Sequence, residues 1–200
     1  MSSSIDRLAI LTVTNIAFAR TVWVMMGFVR TLLRSRSTVV ASKWGWVELL
    51  TIPEPIVLAT VTYVLFATGM PAAAPSALHI VGAAAGAGVA VGAVALTAWA
   101  FLSLPSVGSG HYVLAGQSIV DRGPFGWVRH PIYLGAFMIW LSLGMAYGRL
   151  LPLVVLALYV VPIYLLYIRE EEQLMVGRYG EEYRAYRRRV VGGLLPRLRP

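Results

Sequence analysis

Residues 129–172 read RHPIYLGAFMIWLSLGMAYGRLLPLVVLALYVVPIYLLYIREEE, two apolar runs, 132–147 and 150–168, joined by the tight link Tyr147-Gly148-Arg149. A helix crosses the hydrocarbon core of a bilayer in about 20 mostly apolar residues. Runs of this length with so short a connection predict an antiparallel helical hairpin that turns near one membrane face. Three further runs lie upstream, at 8–29, 46–66 and 78–104. Together they predict an all-α integral membrane protein of about five transmembrane helices, with the two chain ends on opposite sides.

Composition agrees with a bilayer as the solvent. Apolar residues make up 58% of the 200 positions and charged residues 13%, a balance that leaves a soluble domain short of polar surface. There is no cysteine, which excludes disulfides, thiolate metal ligands and a thiol nucleophile; no metal site is predicted. The formal charge of +8 does not point to nucleic acid, because the basic residues sit between and after apolar runs and not over a folded polar face. Residues 1–7 lead into the first run without a small-residue cleavage site, so that run reads as a retained span.

Basic residues also set the orientation, since cytoplasmic loops retain Lys and Arg. Arg30, Arg34, Arg36 and Lys43 follow the first run, Arg122 and Arg129 precede the fourth, and eight arginines follow the fifth. Of the seventeen basic residues only Arg7, Arg20 and Arg149 fall elsewhere. This predicts a multi-pass protein of the cell (plasma) membrane whose tail is cytoplasmic and whose uncharged 69–76 loop is an exoplasmic turn. The tail after residue 168 is too short to bury its own core and is expected to dock on the membrane domain or lie at the interface. The third run carries Gly82, Gly86, Gly88 and Gly92, two small-xxx-small patterns that let helices approach closely, read as packing within the chain ahead of dimerisation.

Polar residues inside spans need a reason. Arg20 in the first run reads as a helix-packing pair or a snorkelling cation. Glu54, in Pro53-Glu54-Pro55, reads either as a structural hydrogen-bond partner at a proline-broken turn or as the lining of a cavity.

A denser polar group borders the hairpin. Pro131 fits the first turn of a helix, where its missing N–H leaves nothing unpaired, so Arg129 and His130 stand at the cytoplasmic mouth of the fourth span. Glu171 and Glu172 are expected just past the end of the fifth. Antiparallel neighbours lie about 8–10 Å apart, which should gather Arg129, His130, Tyr133 and the carboxylates around one pocket. Such a pocket suits a small zwitterion, its carboxylate on the helix N-terminus and His130 and its ammonium on Glu171 or Glu172. The plainer reading is a set of charged flanks that solvate helix ends.

Arg129-His130-Pro131-Ile132-Tyr133-Leu134-Gly135, then Glu171-Glu172, then Tyr179-Gly180 with Tyr183 and Tyr186, resembles the C-terminal signature of the isoprenylcysteine carboxyl methyltransferase family, which is related to membrane phospholipid methyltransferases. The resemblance covers about the last eighty residues. It implies methyl transfer from S-adenosyl-L-methionine, at the cytoplasmic face, to a lipophilic small-molecule or lipidated acceptor or a membrane lipid. It further implies that a helical tail closes over the cofactor pocket. On it, residues 1–104 are N-terminal helices and 105–200 the catalytic part, comprising a cytoplasmic loop, the hairpin 132–168 and the tail.

By the same resemblance His130 and Tyr133 contact the methionine portion of the cofactor, and Gly123 and Pro124 shape the wall before it. Glu171 and Glu172 anchor its charged or hydroxyl groups, chosen over Glu170 by counting back from Tyr179-Gly180. Arg129, and secondly Arg189, would hold an acceptor carboxylate. The ending Val190-Val191-Gly192-Gly193-Leu194-Leu195-Pro196 departs from the family by one extra residue. A carboxylate acceptor is already nucleophilic at neutral pH, so placement in line and loss of water would supply most of the acceleration. The alternatives are N-methylation of a phospholipid or other small lipid, for which only the glutamates and His111 offer a base, and a non-catalytic membrane scaffold. A nicotinamide-dependent reductase of the membrane steroid-reductase type would call for fewer carboxylates than Glu170-Glu171-Glu172 supplies.

Overall fold

Prolines and glycines decide where the apolar runs break. In the computed structural model, which describes residues 2–33, 39–42, 45–68, 77–104, 112–114 and 116–195, the first run is one helix, α1 (Ser2–Leu33). The second is split: α2 (Trp46–Thr51) stops before Pro53, and α3 (Glu54–Ala67) restarts with Pro55 in its first turn, the one place where a proline is tolerated. The third is α4 (Ala77–Ser103) and the fourth α5 (Pro131–Tyr147). Gly148, at φ 58°, caps α5 in the left-handed conformation, which glycine adopts without strain.

The last run forms α6 (Leu151–Val155), a π-helical turn (Leu156–Val160) and α7 (Val161–Tyr179). Pro162 accounts for the wide turn: it has no N–H to give and its ring crowds the carbonyl four residues back. This rod continues to Tyr179, so Glu170, Glu171 and Glu172 lie within a helix and not past its end as expected. Gly180, at φ 55°, turns the chain into α8 (Glu181–Arg189).

By length and composition, the helices over Leu49–Ala67, Ala77–Ser103 and Leu151–Tyr179 are long and apolar enough to cross a membrane, and Pro131–Tyr147 is a shorter apolar helix. The core joins them through Val13 and Ala17 of α1, Leu58 of α3, Ala90 of α4, Trp140 and Leu143 of α5, and Val160 of the π turn. A side chain at Gly86 would stand 2.8 Å from the Ser142 carbonyl oxygen, and one at Gly135 would stand 2.4 Å from Thr97 Oγ1. The small residues of α4 thus serve contact with α5, where close van der Waals packing supplies the attraction that lipid cannot. Gly88, by contrast, faces open space.

One element departs from the all-helical expectation. β1 (Val39–Ser42) pairs antiparallel with β2 (Tyr112–Leu114), short stretches of β-branched and aromatic residues that suit a ladder. Since β1 follows α1 and β2 follows α4, the ladder brings the connections after the first and third runs to the same end of the bundle. The predicted 69–76 turn, His111 and Pro196 lie outside the described residues.

Candidate active site

Two helices and the returning tail build the site. Arg129 and His130 stand at the start of α5, with Pro131 at its first position. Glu171 and Glu172 face them from α7 across the hairpin, so the convergence expected from antiparallel packing is present. Arg129 Nε donates to Glu172 Oε1 at 2.8 Å, and His130 Nε2 lies 3.2 Å from the same oxygen. On the other side of the imidazole, Nδ1 is 3.4 Å from Glu171 Oε2, and the Tyr133 hydroxyl donates to that oxygen at 2.9 Å. The His130 and Tyr133 rings stack at 5.5 Å with 10° between their planes.

His130 is only 5% exposed. Burial disfavours its charged form, but hydrogen bonds to Glu171 and Glu172 outweigh that and lift it from 6.5 to about 9. At neutral pH the ring is therefore an imidazolium with a carboxylate at each nitrogen. It holds protons and is a poor base.

The tail closes the arrangement through its backbone. Arg129 Nη1 donates to the carbonyls of Val190 at 2.6 Å and Val191 at 3.0 Å. The backbone N–H groups of Arg129 and His130 donate to Gly192 and Gly193 at 3.0 and 3.1 Å. Tyr186 donates to the Phe125 carbonyl and Tyr179 to that of Gln117, which anchors both ends of the tail helix to the segment before α5. Burial pushes the phenols of Tyr183 and Tyr186 well above their ordinary range, so both remain neutral donors and ring surfaces.

Between these elements runs a cleft of about 840 Å³ including its open mouth, within the size of small-molecule sites. Phe125, Tyr133, Tyr179, Tyr183 and Tyr186 supply aromatic walls, and Glu171, Arg129 and His130 the charged groups. Leu104, Ile132 and Met175 add apolar wall.

The matched segment of sequence contains most of this wall: residues 81–182 match the family model described as phospholipid methyltransferase. The chain belongs to the phospholipid methyltransferase family. No curated protein matches it. It is accordingly a membrane methyltransferase for lipid-like substrates, and methyltransferases of this family generally use S-adenosylmethionine. The match begins inside α4 and ends in the first turn of α8, so it takes in the hairpin, both glutamates and the Gly180 turn.

Within this phospholipid methyltransferase family site, the residues singled out from sequence divide into three groups. Arg129, His130, Tyr133 and Glu171 line the cleft. Glu172 stands behind it, held by Arg129 and His130 and by Arg187 Nε at 3.4 Å. Gly123 and Pro124 lie beneath, in a 3₁₀ turn (Gly123–Gly126). Gly123 takes φ 60°, and a side chain there would come within 2.4 Å of Ser103 Oγ, so this glycine fits the turn onto the end of α4. Arg189 does not reach the cleft wall; it pairs with Asp121 at 2.6 Å on the exposed rim.

Sequence reasoning missed Phe125, Met175 and the 117–120 segment, whose extended chain carries no periodic signal. It also missed Arg187 as a partner of Glu172. Tyr183 and Tyr186, three apart on a short helix, were visible as one stripe, though not as cleft wall.

Proposed function

We propose that this chain transfers a methyl group from S-adenosyl-L-methionine to a carboxylate at the end of an isoprenylcysteine-type lipid acceptor, within the cleft between α5, α7 and α8. The cofactor reading is supported by the donor set: aromatic faces around one inward carboxylate suit a sulfonium and an ammonium. His130 and Tyr133 would face its methionine portion and Glu171 its ammonium. When bound, the cofactor supplies an electrophilic methyl group. The protein's part is to hold the acceptor oxygen in line and exclude water.

The observation that carries the choice of a carboxylate is the state of His130. An amine acceptor must first lose a proton, and the one described histidine on the cleft wall is already protonated between two glutamates. A carboxylate needs no base, and the positive mouth made by Arg129 and His130 favours it. Arg129 is the residue assigned to it, through whatever donors its tail contacts leave. The second reading is methylation of a phospholipid or other small-lipid amine, favoured by the matched family model and by Glu171 as a carboxylate facing the cleft.

In this reading five helical segments span the plasma membrane, residues 105–200 carry the chemistry, and the cleft opens at the cytoplasmic face. Calorimetric titration of detergent-purified protein with S-adenosylmethionine and S-adenosylhomocysteine tests the cofactor; a folded sample that binds neither refutes it. Incubation with methyl-labelled cofactor and mixed lipid acids and amines tests the acceptor. Label released as methanol by alkali marks an ester, and alkali-stable label in the lipid fraction marks N-methylation and would replace the preferred reading.

A further inference from the structure

Two turns deeper along the same helix faces lies a second polar rung that the site does not use. Glu54, only 2% exposed, accepts from Trp140 Nε1 at 2.9 Å and from Arg20 Nη1 at 3.3 Å. The Arg20 guanidinium also lies against the Tyr164 phenol. Trp140 follows Tyr133 by seven residues on α5, and Glu171 follows Tyr164 by seven on α7, so each helix presents one member of both rungs on one face.

Aromatic contacts connect the rungs. Tyr164 packs on Tyr133 with ring centres 5.3 Å apart and on Phe137 at 5.6 Å. Tyr133 in turn donates to Glu171 at the cleft wall. An ion pair within membrane-spanning helices is costly to bury and is retained where it fixes an arrangement. Here it ties α1 and α3, which contribute nothing to the cleft wall, to the two helices that do.

We propose that Arg20 and Glu54 are positioning residues for the methyl-transfer site, setting the Tyr133 hydroxyl through Tyr164. The proposal rests on the cofactor reading above only for its binding assay. Glu54→Gln keeps the side-chain shape and touches neither Tyr133 nor the cleft, so any effect at the site must travel through the rung. Where that variant fails to fold because Arg20 is left unpaired, the doubly neutral Arg20→Gln/Glu54→Gln protein makes the same test.

Full-length protein in detergent, labelled with fluorotyrosine and with the Tyr133 resonance assigned from Tyr133→Phe, gives a readout that needs no ligand. The expected result is a displaced or broadened Tyr133 resonance in the neutralised variant, together with about five-fold weaker S-adenosylmethionine binding, the loss typical of one hydrogen-bonded contact. Adding Tyr164→Phe should weaken binding no further, since both changes cut one path. An unmoved Tyr133 resonance and unchanged affinity in a folded variant, with only the melting temperature lowered, would overturn the proposal. A moved resonance in a protein whose wild type binds no S-adenosylmethionine would uphold the coupling and reject the cofactor reading instead.

Discussion

Arg129 and Glu172, forty-three positions apart in sequence, meet at 2.8 Å through Nε and Oε1, and that contact fixes the pitch of α5 against α7 at the mouth of the cleft. Glu172 also receives His130 and Arg187. It is the hub of the charged group, and the cleft wall proper belongs to its neighbour.

Glu171 and Glu172 should therefore fail differently. Glu172→Gln leaves Arg129 and His130 without their shared counter-charge and is expected to destabilise the protein by about 3–5 kcal/mol. Glu171→Gln is expected to weaken S-adenosylmethionine binding by about 1–3 kcal/mol with a smaller loss of stability. Melting in detergent beside calorimetric titration separates the two; equal effects on both readouts would refute the division of roles.

The raised His130 value makes stability depend on pH in a defined direction. A histidine that binds its proton more tightly in the folded state stabilises it fully below its unfolded value near 6.5, and that contribution disappears as pH climbs through about 9. The shift corresponds to roughly 3 kcal/mol. Unfolding followed from pH 6 to about 10 should show this decline in wild type and a flatter profile in His130→Gln; parallel profiles would remove the imidazolium from the account.

Gly123 was singled out for the cofactor wall, yet its geometry assigns it to the turn. Gly123→Ala forces a side chain into φ 60° and against Ser103, and should destabilise the fold by about 1–3 kcal/mol. Pro124→Ala, in the same turn, has no such collision and should be milder. Comparison of melting temperatures decides it.

On the rim, Arg189 and Asp121 form an exposed pair. Arg189→Ala should change stability by less than about 1 kcal/mol and leave cofactor affinity unaltered. Arg129→Ala removes two contacts to the tail carbonyls and one to Glu172 and should lower stability and turnover together. A turnover defect in Arg189→Ala with normal melting would return that residue to the acceptor site.

Much of this was legible because the bilayer simplifies the code. Apolar run length marked α4 and α5 to within a residue or two, Pro131 fixed the start of α5, and hairpin geometry alone brought Arg129 and His130 to Glu171 and Glu172. The end of the last helix was not legible: polarity rises at Arg169, which signals the edge of the apolar run, but Glu, Gln, Leu and Met are good helix formers and carry α7 on to Tyr179. The direction of each glutamate was equally hidden, because consecutive helical positions differ by about 100° and the phase depends on the turns before them. Nor could spacing show that Arg20 and Glu54 are one pair; that contact depends on how α1 and α3 dock.

The π turn at Leu156–Val160 has a consequence for how the gene can vary. A π turn accommodates one residue beyond the α-helical count, so it acts as a phase shifter between the membrane half of the rod and the half that carries Tyr164, Glu171 and Glu172. Deleting a single residue there would let the helix relax to regular α geometry while rotating everything after it by about a quarter turn. Composition and hydropathy would be almost unchanged, and every side chain on the cleft would still be present in the sequence. The carboxylates would nevertheless face lipid. The length of this segment, more than the identity of its five apolar residues, is what selection on this rod must preserve.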